Sequence, residues 1–89
     1  MANTYLVDRP SGQNGLNLAL VDREAKVVLI QDGVYLDVAS LHLAGAEIYA
    51  VERAVEKRGL RHRLPGYINV INYGRLVDLV VENRVVNFV

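Results

Sequence analysis

The chain has 89 residues, of which 52% are hydrophobic and none is cysteine; this is room for one domain and one core. Its 10 basic and 10 acidic residues cancel, so the molecule as a whole is no electrostatic attractor for nucleic acid. Without a thiol, disulfides, thiolate metal sites and cysteine nucleophiles are excluded, and the chain cannot itself carry sulfur as a persulfide.

The apolar runs are short against a membrane span, which takes about 20 residues. Met1-Ala2-Asn3-Thr4 does not open a secretory signal, so a cytoplasmic protein is expected. A small domain without covalent staples often leans on association for stability, which leads us to expect life in a complex.

Short β-branched runs between helix-like segments predict a parallel α/β sheet. Asn3 to Val7 reads as the first strand, closed by the turn-rich Asp8-Arg9-Pro10-Ser11-Gly12. Leu16 to Arg23 predicts a short helix, with Leu16, Ala19, Leu20 and Arg23 on one face. Val27-Val28-Leu29-Ile30 is a continuous apolar run, as expected of a central strand covered on both faces. Asp32-Gly33 then opens a second helix lined by Val34, Val38 and Leu41 and capped by Gly45.

Ala46 to Val51 reads as the third strand and Arg53 to Arg58 as a helix ended by Gly59, after which Leu60 should fold back on Val55. Ile68 to Ile71 is a fourth strand, nearer an edge because it carries Asn69. Asn72 is a good N-cap for the last helix, with Ile71 and Leu76 in the positions of a hydrophobic staple. The tail from Val85 to Val89 is too apolar for water; it is a last short strand or an interface segment.

In open α/β sheets, ligands sit beyond the carboxyl ends of the strands. The candidates there are Asp8, the loop Ser11-Gly12-Gln13-Asn14-Gly15, Asp32-Gly33, Glu52-Arg53 and Asn72-Tyr73. The loop glycines could let backbone N–H groups cradle an anion. The loop lacks the Lys-Ser/Thr of a P-loop and the three-glycine dinucleotide pattern, and reads as a plain turn. Asp32 reads as an N-cap, and no second carboxylate completes an acid/base pair with it.

His42 and His62 are too few and too far apart for a metal site. His42 is expected to be half-buried or at an interface. The basic run Arg58-Gly59-Leu60-Arg61-His62-Arg63 reads as a solvated loop, with a phosphate or RNA contact as its lesser reading. Ser11 and Ser40 lack His/Asp partners in the sequence. The residues alone describe a small parallel α/β domain with no visible active site and no implied cofactor or metal.

Three stretches resemble one family. Val28-Leu29-Ile30-Gln31-Asp32-Gly33-Val34-Tyr35 is similar to the VLLIEDGVY segment of the DsrH/TusB family. Glu56-Lys57-Arg58-Gly59-Leu60 resembles its ARGL/ARGF helix end, and Ile71-Asn72-Tyr73-Gly74-Arg75-Leu76-Val77-Asp78-Leu79 its VDYxGFVDL entry to the last helix. Their order and spacing match over nearly the whole chain.

The resemblance implies a three-layer α/β/α fold with a mainly parallel sheet of four to five strands. It implies a subunit of a cytoplasmic DsrEFH- or TusBCD-type hetero-hexamer, with DsrE/TusD-like and DsrF/TusC-like partners. Such complexes pass persulfide sulfur toward 2-thiolation of the tRNA wobble uridine or within sulfur oxidation, and the reactive cysteine belongs to the DsrE/TusD-like subunit. Some DsrH members also carry a cysteine in the first helix. Counting back without gaps from Asp32-Gly33, that position falls on Asn17, whose amide offers no nucleophile.

The leading expectation is therefore a non-catalytic subunit, with Asn17, Asp32, Gly33, Tyr35, Leu36, Leu43 and Tyr73 as binding or interface candidates. The second helix is apolar nearly all round, with Tyr35, Leu36, Ala39 and Leu43 beyond its core face, so it is expected at an interface. The tail is a second candidate surface. Alone, the chain is expected to pair with itself. The rival reading is a stand-alone homo-oligomeric binding module for a small anionic ligand, anchored by Gly12, Gly15 and Arg53. Direct RNA contact through Arg58, Arg61, His62 and Arg63 is a third reading, and membrane binding is not expected.

Overall fold

A computed structural model describes residues 3–9, 11–22 and 24–88. Among these residues five parallel strands form one sheet in the order β4-β3-β2-β1-β5. They are β1 (Asn3–Val7), β2 (Lys26–Leu29), β3 (Glu47–Val51), β4 (Ile68–Ile71) and β5 (Arg84–Phe88). The helices are α1 (Gly12–Leu20), α2 (Ala39–Leu43), α3 (Glu52–Lys57) and α4 (Tyr73–Glu82), and a 3-10 helix spans Gln31–Tyr35.

The central position of β2 follows from its sequence: Val27, Val28 and Leu29 are all removed from solvent. Side chains alternate across a sheet, and the core is divided accordingly. Val27 and Leu29 join Val7, Ile48 and Ala50 under α1, the 3-10 helix, α2 and α3. Val28 joins Tyr49, Ile71 and Leu79 under α4, on the opposite face. Three layers result, one of them carried by a single helix. β4 is an edge strand as its Asn69 suggests, and that side chain reaches back to donate to the Ile48 carbonyl at 3.3 Å.

The two glycine caps are as expected. Gly45 and Gly59 have φ of 89° and 63°, a left-handed backbone that glycine adopts without steric cost. After Gly59, the Leu60 N–H donates to the Val55 carbonyl at 3.0 Å, and the Leu60 side chain packs on the cluster that holds Val55. Asn72 caps α4 by accepting from the Arg75 N–H at 2.9 Å. Ile71 and Leu76 meet in one cluster, completing the staple.

Several expectations are corrected. The first helix begins at Gly12 rather than Leu16, so the glycine pair is not a loop. Gly12, Gly15, Leu16 and Ala19 are its buried residues, spaced to form one face. A Cβ on Gly15 would come within 2.7 Å of the Phe88 ring; the glycines here let a helix lie close on the sheet. The expected helix end at Arg23 lies outside the described residues.

The second helix is two pieces. Leu36, with φ −73° and ψ 143°, is extended, and the Asp37 carboxylate accepts from the Ala39 N–H at 3.0 Å, restarting the helix. Val34, Val38 and Leu41 are nevertheless all buried. Of the two readings of the tail, the strand is the one observed: it pairs in parallel with β1 from Asn3↔Arg84 to Val7↔Phe88, and its end at Val89 is outside the described residues.

Candidate functional site

The carboxyl ends of β2, β3 and β4 meet the starts of α3 and α4 around a cleft of about 480 Å³. Its floor is apolar, from Ile30, Val51, Ala54 and Leu76, and Tyr73 stands at its α4 side. Arg53, Lys57 and Arg58 of the α3 segment line it as well. The sequence reading singled out Arg53 and Tyr73 separately, and the structure brings them together with Lys57, which it missed. The cleft joins three segments remote in sequence; the strand-end rule pointed to Arg53 and Tyr73, and the spacing of Arg53 and Lys57, four apart on one helix face, was a further hint.

Asp32 is not an N-cap. It lies in the first turn of the 3-10 helix, whose N-cap is Ile30, and its carboxylate accepts from Arg58 Nε at 2.9 Å. Arg58 Nη1 also donates to the Ala54 carbonyl at 3.3 Å, so this guanidinium is held in place at the cleft wall. Gln31, which also lines the cleft, is the one non-glycine with positive φ among the described residues, at 45°.

The other candidates are scattered. Gly33 is buried against the end of β1, where a Cβ would overlap the Val7 carbonyl oxygen. Tyr35 and Leu36 line a smaller cleft of about 220 Å³ with Leu60, Arg63 and Tyr67. Tyr35 is half exposed with the Arg9 guanidinium 5.7 Å over its ring. Leu36 packs against the core rather than pointing outward. Leu43 is 85% exposed at the end of α2. Asn17 is exposed on α1, where its carbonyl accepts from Gln13 Nε2 at 3.2 Å.

The expected basic run does not form one cationic surface. Arg58 is paired with Asp32, and Arg61 bridges Glu52 and Glu56 at 3.1 and 3.2 Å. His42 is exposed and stacks on Tyr67 with centroids 3.9 Å apart. Among the described residues no group of His, Asp and Glu is placed to hold a metal ion, and no helix is long and apolar enough to cross a membrane.

Two polar networks lie at the opposite, amino ends of the strands. Asp22 accepts from the Asn3 amide at 2.8 Å and the Tyr5 hydroxyl at 2.9 Å. The Asn3 bond is the largest influence holding this carboxyl below its usual range. Glu47 accepts from the Tyr49 hydroxyl at 2.7 Å, which likewise lowers its pKa, with Lys26 3.6 Å away adding to the effect. Tyr5 and Tyr49 are both pushed up, first by burial and then by these carboxylates.

The outer side of α4 is the surface that sequence reading overlooked. Tyr73, Val77, Val80 and Val81 are all exposed there, Val81 by 78%. Their spacing of four, then three or four, forms a stripe beside the buried Leu79.

The fold is shared with the crystal structure of the ychN protein from E. coli, at a TM-score of 0.80 and 16% identity over 98% of this chain and 97% of that one. Protein TusB of Photorhabdus laumondii subsp. laumondii is 31% identical over 88 residues, covering 90% of this chain and 93% of the relative. The family model described as DsrH like protein matches residues 11–86. That span runs from the start of α1 into β5, through all three stretches that suggested the resemblance, and the chain belongs to the DsrH family.

Proposed function

We propose that this chain is a non-catalytic subunit of a cytoplasmic sulfur-relay complex, assembled with DsrE/TusD-like and DsrF/TusC-like subunits in a hetero-hexamer. Its pathway would be 2-thiolation of the tRNA wobble uridine or sulfur oxidation. The observation that carries this reading is DsrH membership in a chain without cysteine. A persulfide is built on a thiolate, so the sulfur-bearing group must lie on a partner. Counted back without gaps from Asp32-Gly33, the first-helix position falls on Asn17, whose amide engages only Gln13 among the described residues.

The exposed apolar side chains support a role within an assembly. Contiguous apolar patches on a small protein mark contact surfaces, and the α4 stripe is such a patch. Co-expression with cysteine-bearing DsrE-like and DsrF-like subunits tests the reading. The chain should elute with them as one stoichiometric species on a sizing column. With a persulfide donor, sulfur mass should appear on the partner and not on this chain. Elution as a lone species beside both partners overturns the proposal.

A further inference from the structure

We propose that the cleft between α3 and α4 binds a small organic phosphate, with the phosphate on Arg53 and Lys57 and an apolar or aromatic body on the floor beside Tyr73. The charges around α3 are sorted in a way that favours this. Glu52 and Glu56 face Arg61 on one side and are bound to it. Arg53 and Lys57 line the cleft on the other side, and neither is in an ion pair among the described residues.

Arg58 adds a third cation whose position is fixed. Asp32 holds its Nε and the Ala54 carbonyl its Nη1, which leaves Nη2 without a hydrogen bond among the described residues. Among the described residues no acidic one lines the cleft, and Asp32 meets it only through Arg58. A guanidinium fork and a nearby ammonium suit the several oxygens of a phosphate better than a single carboxylate.

Size and floor decide against a bare anion. A cleft of about 480 Å³ falls within the usual range for small-ligand sites, roughly 300–1,000 Å³. Its apolar floor is covered only if the ligand carries a body beyond the phosphate, and Tyr73 offers an exposed ring for it. This inference stands apart from the relay reading, since it concerns the chain alone.

Titration of the isolated, 15N-labelled chain with phenyl phosphate tests it, with inorganic phosphate and phenol as the two halves of the probe. Saturable amide shifts should map to Ile30, Gln31, Ala54 and Leu76, and phenyl phosphate should bind at least about tenfold tighter than either half. Arg53→Ala with Lys57→Ala, at exposed positions, should weaken binding by at least about tenfold while the rest of the spectrum is kept. The proposal is overturned by an absence of saturation at millimolar concentrations or by shifts that map elsewhere. Equal affinity for inorganic phosphate, or binding that survives the double substitution, overturns it as well.

Discussion

Gly33 rests on the carbonyl of Val7, so closely that a Cβ at this position would overlap the oxygen. The obstacle is backbone of the β1 end, hydrogen-bonded there through Ile30 N–H to the Val7 carbonyl at 3.0 Å. It cannot move aside as a side chain could. Gly33→Ala should therefore destabilise the protein by about 2–3 kcal/mol, at the upper end of usual overpacking costs. Urea unfolding measures this, and a loss under about 0.5 kcal/mol would show that the 3-10 helix can lift off β1 without strain.

Thr4 presents the opposite case, a polar group where an apolar one would serve. Its side chain is fully buried and its hydroxyl has no hydrogen-bond partner among the described residues. Replacing an unsatisfied hydroxyl with a methyl of the same shape removes a desolvation cost. Thr4→Val should stabilise the fold by about 1 kcal/mol. A lower urea midpoint for the variant would mean that the hydroxyl has a partner after all.

Stability should fall off on both sides of neutrality. Asp22 and Glu47 have lowered pKa values in the folded state. Their contribution is present above the unfolded value, about 4, and is lost as pH falls through the folded values. Tyr5 and Tyr49 are raised; their contribution is complete below about pH 10 and disappears as pH climbs through the folded values. Asp22→Asn should flatten the acid limb of a plot of urea midpoint against pH, and Tyr49→Phe the alkaline limb. An acid limb as steep in Asp22→Asn as in the parent contradicts the assignment.

The α4 stripe should matter for assembly and little for folding. Val81 is 78% exposed, so Val81→Asp should change stability by no more than about 0.5 kcal/mol, as is usual for surface substitutions. A carboxylate buried without a partner at a subunit contact costs far more. Sedimentation of the co-expressed complex should then show dissociation, with the thermal transition of the isolated chain unchanged. An intact complex would remove Val81 from the interface.

What the sequence reveals divides by distance along the chain. The strands through β4, the glycine caps and the Asn72 cap are signalled within a few residues, and each is where the local chemistry puts it. Gly12 and Gly15 misled because glycine serves both turns and close packing; their spacing with Leu16 and Ala19 was the usable clue. Asp37 likewise signalled a helix start inside what reads as one continuous apolar helix. The pairing of β5 with β1 has no local signal, and the cleft of Arg53, Lys57 and Tyr73 shows locally only the four-residue spacing of Arg53 and Lys57, since each joins distant segments. The α4 stripe was legible in the spacing of Tyr73, Val77 and Val81, but the sequence reading took from this helix only its Asn72 cap, its staple and Tyr73.

The pairing of the first strand with the last also bears on how the protein comes into being. Strands β1 to β4 can dock in sequence order as the chain is made, each onto its predecessor through a nearby helix. β5 must instead cross to the far side of β1, closing a loop of nearly the whole chain, which costs more entropy than any earlier step. Until then Gly15 and Tyr5 lack Phe88, and β1 is a bare edge able to pair with a neighbour. The interval before closure is thus the moment at which this chain is most open to swapping strands with another copy.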